Sequence, residues 1–231
     1  MIRDSLTYPF KSNPIAKMLT GSLFVASSII ILPLFTLIGY SIEVITSARN
    51  GNKAPPEFNH MIKTTKNGIV GFGIILIYTT IPTAVLLLLL AGLTTIQSTI
   101  QLSRPVFTII AFVIITITAP VILTTIYALP AALTNYGIEG EFKSAFDFRK
   151  LINIIFTVKY NVILTYSVLI TLIISITSVL MSSTIFTVIF TPFINFYGLL
   201  SVSYICGKAY KQGESTDIVS WNDLKKLVIF K

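Results

Sequence analysis

The chain has 231 residues, of which 54% are hydrophobic and only 11% are charged, with a formal net charge of +8. A soluble domain carries about 25% charged residues. The low charge content therefore excludes a soluble globular protein, because most of this chain cannot face water. It has one cysteine, and therefore no disulfide can form within it.

Long runs without charge separate the charged residues. These runs cover residues 18–42, 67–103, 105–138 and 160–207. A helix needs roughly 20 apolar residues to cross a bilayer, so the first three runs can each hold one crossing and the last can hold two. The runs are apolar on all sides, which favours helices over barrel strands that alternate polar and apolar residues. The sequence predicts an all-α, polytopic helical integral membrane protein.

The predicted elements form a single helical membrane domain over residues 1–231. The first segment begins after a capping residue, Ser12 or Asn13, with Pro14 in its first turn, and it contains Pro33 near its middle. A polar loop follows at residues 47–67, rich in turn-forming residues. The five predicted membrane segments lie at about 15–46, 68–93, 106–134, 160–181 and 184–207.

Two amphipathic helices are predicted at the membrane surface, over about residues 141–157 and 220–231. In the first, one face carries Ala145, Phe148, Ile152, Ile155 and Phe156 and the opposite face carries Lys143, Asp147, Lys150 and Thr157. Such helices lie in the interface with the apolar face in the acyl boundary. In the second, Trp221 belongs to an apolar stripe while Lys225 and Lys226 face away.

These two helices supply the candidate contacts to lipid headgroups or to a partner. Aromatic side chains favour the membrane interface, and each basic residue near anionic lipid contributes about 1 kcal/mol. The candidate residues are Phe142, Phe146, Asp147, Phe148, Arg149, Lys150, Trp221, Lys225 and Lys226.

An enzyme is not expected. Glu139, Glu141 and Asp147 could form an acid–base set, but no histidine lies near them in the sequence. Carboxylates at the start of an interfacial helix have a simpler role, which is to stabilise the positive end of its dipole. His60 is the only histidine, and metal sites need three or four ligands. We therefore expect no catalytic, cofactor-binding or metal-binding residues, and no cofactor.

The distribution of Lys and Arg indicates orientation, because cytoplasmic loops are enriched in them. Five crossings place the C-terminus and the loops at 47–67 and 135–159 in the cytoplasm with thirteen basic residues, and the N-terminal tail outside with a total of four on that side. In an alternative, residues 15–46 enter and leave on one side by bending at Pro33, and the count becomes sixteen to one. Five crossings are preferred here because about 25 apolar residues are short for a hairpin spanning roughly 30 Å twice.

Three stretches resemble a known family. They are "GYSIEV" at residues 39–44, "PPEFNHM" at 55–61 and "LPAALTNYGIEGEFKSAFDFRKL" at 129–151. They are similar, in the same order, to motifs of a family of multi-pass membrane proteins from archaea and some bacteria that is catalogued as the domain of unknown function DUF4013. The resemblance spans nearly the whole chain. It implies a membrane protein and does not imply an activity, a substrate or a partner.

The function expected from these observations is a non-catalytic membrane-organising, accessory or scaffold module of the cell membrane. The alternative is a transporter or channel for a neutral or lipid-like molecule, with proline-broken helices and with threonines such as Thr79, Thr116 and Thr124 along its path. The charge-free runs disfavour an ion-coupled carrier, which holds ionisable residues at depth. The expected partners are membrane lipids, with a membrane protein or a second copy left open. Nucleic acid is excluded because the basic loops are short.

Overall fold

The computed structural model describes residues 2–183 and 185–215. Every regular element in these ranges is helical, which confirms the predicted all-α class. Two 3₁₀ turns are present, at Tyr8–Phe10 and Phe142–Phe146. The helices, in chain order, are α1 (Ile2–Thr7), α2 (Pro14–Ala26), α3 (Ile31–Arg49), α4 (Met61–Ile100), α5 (Arg104–Glu139), α6 (Phe148–Ile155), α7 (Val158–Met181), α8 (Ile185–Val188) and α9 (Thr191–Glu214).

Four of the described helices, α3, α4, α5 and α7, are long and apolar enough to cross a membrane. The fifth predicted segment, residues 184–207, instead contains α8 and most of α9, and α9 is not one of the four. Half of the 24 residues of α9 are buried. Much of the apolar surface of this segment is therefore covered by protein.

The chain divides into two compact units. The first comprises the described residues up to Phe72 and from Pro130 onward, and the second comprises Gly73–Leu129.

The second unit consists of the later part of α4 and the earlier part of α5, joined by a turn at residues 101–103. Many of its large apolar side chains are exposed, including Leu88 and Phe112. Most of its threonine hydroxyls donate to carbonyl oxygens one turn earlier, as Thr116 does to Phe112 at 2.8 Å. Its surface is therefore apolar with the hydroxyls satisfied internally, which is typical of helices in contact with lipid.

The first unit is organised around α9. Gly207 of α9 faces α3 so closely that a Cβ there would overlap the Ile45 carbonyl. At the end of both helices, Arg49 pairs with Glu214 at 2.7 Å, so α3 and α9 run in the same direction. Helix α7 runs in the opposite direction, because Tyr160 at its start lies near Gly213 at the end of α9.

An aromatic cluster joins the N-terminal tail and the loop after α3 to this core. The ring centroids of Tyr40 and Phe58 lie 4.1 Å apart, and those of Tyr8 and Tyr204 lie 4.3 Å apart. The buried hydroxyls also find partners, since Tyr8 donates to the Ala54 carbonyl at 3.1 Å. The tail is thereby held beside the C-terminal ends of α3 and α9.

Residues 15–46, predicted as one crossing, form a hairpin of α2 and α3 instead. The chain turns at residues 27–30, where the Ser27 hydroxyl donates to the Leu23 carbonyl at 2.7 Å. Such serine bonds compete with the regular helix ladder. At the other end, the Lys17 ammonium donates to the Pro55 carbonyl at 2.7 Å, so α2 begins beside the loop that follows α3. The predicted continuous segment is therefore divided into two helices, and the bend precedes Pro33, which lies in the first turn of α3.

Candidate functional site

One end of the first unit gathers the polar loops. We call it the polar end and define it as residues 43–67, 134–160 and 203–214. Its segments meet through contacts between different helices: Arg49 pairs with Glu214, and a Cβ on Gly137 would overlap the hydroxyl of Thr46. The N-terminal tail lies at the same end through Tyr8.

The predicted helix over residues 141–157 is interrupted at Asp147. Helix α5 ends before Gly140, whose φ of +74° lies in the left-handed region that favours glycine. A 3₁₀ turn follows, and α6 then begins at Phe148 with the Asp147 carboxylate accepting a hydrogen bond from the Lys150 backbone nitrogen at 3.2 Å. Asp147 is thus a capping residue, and two short elements replace the continuous helix.

Two hydrogen bonds connect the 3₁₀ turn to α5 and α9. The Tyr210 hydroxyl donates to the Asn135 side-chain oxygen at 3.1 Å, and the Asn135 amide donates to the Ser144 carbonyl. Within the turn, the rings of Phe142 and Phe146 contact each other with centroids 5.1 Å apart. Phe146 is half-buried, and Phe142 remains 44% exposed.

The two basic candidates differ. Lys150 forms an ion pair with Glu139 at 2.8 Å. Partial burial alone would lower the pKa of the Lys150 ammonium, but the hydrogen bond to Glu139, with Tyr210 nearby, outweighs burial and raises it. Arg149 is exposed and has no ion pair within residues 2–183 and 185–215. Arg149 is thus available to an external anion.

Helix α6 has an apolar arc that is divided between the protein and the exterior. Leu151, Ile154 and Ile155 are buried, whereas Phe148 and Ile152 are 61% and 49% exposed. The predicted apolar face, Ala145, Phe148, Ile152, Ile155 and Phe156, therefore needs correction. Ala145 belongs to the 3₁₀ turn. The residues of α6 that pack on the protein are Leu151, Ile154 and Ile155, of which only Ile155 was predicted. Trp221, Lys225, Lys226 and the predicted helix over 220–231 lie outside the described residues.

A cleft that the sequence did not reveal lies at the polar end between α3, α4 and α5. Its volume is about 460 Å³. Its floor is formed by half-buried or buried residues, and its rim by exposed ones. The floor is Ile42, Glu43, Thr46, Ser47, Asn67, Tyr136 and Gly137, and the rim includes Asn50, Asn52, Glu57, Asn59, His60, Lys63 and Gly140.

Glu43 is the charged group of the cleft floor. The Thr64 hydroxyl donates to its Oε1 atom at 2.6 Å. Among the described residues, no Lys or Arg forms an ion pair with it. Also on the floor, the Tyr136 hydroxyl lies 3.5 Å from the Asn67 side-chain oxygen. A carboxylate on an apolar helix without a basic partner is costly unless it is compensated, which marks this cleft as a second candidate site.

Sequence reasoning missed the cleft because its floor comes from three separate segments of the chain. One signal was present: Glu43 ends the charge-free run of residues 18–42, in a helix whose other charged residue is Arg49. Within the described ranges, no group of three or more His, Cys, Asp or Glu side chains is placed to hold a metal ion.

Comparison with known proteins agrees with the resemblance noted in the motifs. The sequence model of the family described as "protein of unknown function (DUF4013)" matches residues 22–186, which is most of the chain. No curated protein and no solved structure matches.

Proposed function

The chain belongs to the DUF4013 family, and we propose that it is a non-catalytic membrane module that presents its polar end to a membrane-bound partner. In this proposal α6 lies in the interface, and the polar end faces the cytoplasm at the cell membrane. The partner is a protein of the same membrane, engaged beside α6.

The divided apolar arc of α6 carries this proposal. Three apolar residues on one side of the arc are buried in the protein, and Phe148, Ile152 and Phe156 on the other side remain 61%, 49% and 72% exposed. The opposite side of the helix carries Arg149 and Asn153. A helix that is apolar toward both protein and exterior, with a basic polar side, fits the boundary between acyl chains and headgroups.

The hairpin of α2 and α3 supports the cytoplasmic orientation. The N-terminal tail lies at the polar end. Among the described residues, thirteen Lys and Arg belong to the first unit and only Arg104 belongs to the second. This asymmetry is stronger than that of the five-crossing arrangement, and cytoplasmic loops carry the excess of Lys and Arg.

The roles of the carboxylates support the absence of catalysis in this proposal. Of the acidic residues that could have formed an acid–base set, Glu139 pairs with Lys150 and Asp147 caps α6. Both are engaged in structural contacts, as expected of charges that stabilise a fold rather than act on a substrate.

The transport alternative is weakened by the threonines that were expected to line its path. Thr79, Thr116 and Thr124 each donate to a carbonyl oxygen of their own helix at 2.8 Å. Such hydroxyls have used their proton internally, so they offer little to a passing solute.

A photo-crosslinking experiment tests the proposal. A benzoylphenylalanine is introduced at Arg149 in the full chain in native membranes, and a matched chain carries it at Ile173, an exposed residue of α7. We expect one protein adduct from position 149, in stoichiometric yield after purification in mild detergent, and lipid adducts from position 173. Lipid adducts from both positions, with the chain purifying alone, would contradict the partner-presenting role.

A further inference from the structure

We propose that the cleft between α3, α4 and α5 binds a small polar molecule through its protonated primary amine, with the ammonium group held at Glu43. This site is separate from the α6 surface, and its function does not depend on the proposed partner.

The size of the cleft fits a small organic molecule rather than a bare ion. Ligand sites typically enclose about 300–1,000 Å³, and this cleft measures about 460 Å³. Two of the helices that form its floor are closely packed. Helices α3 and α4 approach so closely that a Cβ on Gly39 would overlap the Thr64 carbonyl. The cleft is therefore a preformed feature of helix packing.

The polar groups of the floor favour a ligand with a positively charged hydrogen-bond donor. Thr64 occupies Oε1 of Glu43, and no hydrogen bond within the described residues reaches its Oε2 atom. Oxygens of Ser47 and Asn67 line the same floor. A primary ammonium has three N–H donors and no acceptor, which matches a carboxylate oxygen flanked by neutral oxygens. Pairing also lowers the cost of a half-buried carboxylate that has a hydrogen bond from Thr64 but no basic partner among the described residues.

The rim restricts the rest of the ligand. Lys63 and His60 stand at the rim with Asn50 and Asn52, and Glu57 there already accepts a hydrogen bond from Asn59 at 3.1 Å. The Lys63 ammonium repels a second positive charge, while the amides offer both donors and acceptors. The ligand therefore carries one amine at one end and a hydroxyl or anionic group at the other.

Two sources share this chemistry. One is a water-soluble amino alcohol or its phosphate ester, and the other is the ethanolamine headgroup of a membrane lipid. Both present a primary ammonium next to an oxygen-rich group, so the probes must differ in whether they are dissolved or part of the bilayer.

The full chain in phosphatidylcholine nanodiscs is titrated with ethanolamine, with phosphoethanolamine and with ethylene glycol, which lacks the amine. Thermal unfolding and calorimetry are the readouts. We expect one or both amines, and not ethylene glycol, to raise Tm. Glu43→Gln should weaken amine binding at least tenfold, whereas Glu141→Gln, the same change at an exposed residue outside the cleft, should leave it unchanged.

A second arm replaces part of the phosphatidylcholine by phosphatidylethanolamine. A rise in Tm that depends on Glu43 and occurs only with this lipid would assign the site to the headgroup. Absence of any shift from the dissolved amines and from the lipid would overturn the proposal, as would binding that Glu43→Gln leaves intact. If Glu43→Gln does not fold, Asn67→Leu, which fills the floor, provides the same test.

Discussion

Gly39 and Gly68 allow α3 and α4 to meet through their backbones. A Cβ on Gly39 would overlap the Thr64 carbonyl, and a Cβ on Gly68 would overlap the Phe35 carbonyl and lie 2.8 Å from the Gly39 nitrogen. This approach brings the Thr64 hydroxyl within hydrogen-bond distance of Glu43. The two glycines therefore shape the floor of the cleft as well as the helix pair.

Replacing either glycine should destabilise the protein. In Gly68→Ala the added methyl meets backbone, which cannot rotate away, so we expect a loss of about 1–3 kcal/mol or more in the free energy of unfolding. Apparent Tm in nanodiscs measures it. The control is Gly92→Ala, also within α4, where a Cβ meets nothing within 4 Å and alanine favours the helix by up to about 1 kcal/mol. Equal losses in both variants would show that close packing is not the cause.

The stability of the 3₁₀ turn should depend on the hydrogen bond between the Tyr210 hydroxyl and Asn135. Tyr210→Phe removes the donor to the Asn135 side-chain oxygen and leaves a buried acceptor unsatisfied, which costs about 1–3 kcal/mol. Hydrogen exchange at residues 142–146 should accelerate accordingly. Tyr166→Phe is the control, since that hydroxyl has no hydrogen-bond partner in the part of the chain described. Unchanged exchange in Tyr210→Phe would mean that the pair does not hold the turn.

The exposed half of the α6 apolar arc should govern its contact with lipid. Phe148 is 61% exposed, and moving such a ring out of the acyl boundary forfeits roughly 1.5–3 kcal/mol. Phe148→Ser should therefore raise hydrogen exchange in α6 about tenfold or more in nanodiscs. Phe146→Ser is less informative, because Phe146 packs on Phe142. Asn153→Ser, on the polar side, should change nothing, and protection that survives Phe148→Ser would argue against the interfacial placement.

The hairpin of α2 and α3 predicts that the N-terminal tail and the loop after α3 share one side of the membrane. A cysteine at Thr7 and one at Asn59, both exposed, should react with a membrane-impermeant maleimide under the same conditions. The native Cys206 is buried and is expected to stay silent. Labelling of the two positions from opposite sides would restore a crossing within residues 15–46.

Lys17 should make stability depend on alkaline pH. Burial lowers the pKa of its ammonium below the ordinary 10.5, although Glu57 opposes this. The folded state then loses this proton at a lower pH than the unfolded state. The free energy of unfolding consequently rises as the pH increases from the folded pKa toward 10.5.

Lys17→Met removes the titratable group, so its free energy of unfolding should not show this rise with pH. Thermal unfolding between pH 7 and 10.5 measures the difference, and Lys53→Met, at an exposed lysine of the loop, should retain the gain in full. A Lys17→Met protein whose stability follows the wild-type profile would contradict the assignment.

Charge-free runs were sufficient to predict α4, α5 and α7, because a long apolar stretch has few alternatives to a membrane-length helix. They were insufficient for residues 15–46, where Ser27 and Ser28 look like ordinary small residues of an apolar run. At the turn, their hydroxyls donate to the carbonyl oxygens of Leu23 and Val25. The charge-free runs also could not show that half of the residues of α9 are buried against other helices.

The candidate residues of the polar end were predictable only in part. The capping role of carboxylates at a helix start was foreseen in general terms, and Asp147 fulfils it. The division of the α6 arc depends on which neighbours pack against Leu151 and Ile154, and no local pattern contains that information. The cleft is lined by Glu43, Asn67 and Tyr136, which lie far apart in the sequence.

The return of α3 to the side where α2 begins has a consequence for biogenesis. Arg3, Asp4 and Lys11 lie in the tail that precedes the hairpin, and a hairpin entry leaves them all in the aqueous compartment where they were synthesised. Carrying a basic residue to the centre of a bilayer costs about 2.5–3.5 kcal/mol even by the mildest scale. In such an entry the turn at residues 27–30 leads into the hydrocarbon. Its serine hydroxyls are already hydrogen-bonded, and Ile29 and Ile30 are exposed. This part of the chain can therefore insert as a preformed unit, without translocation of a charged tail.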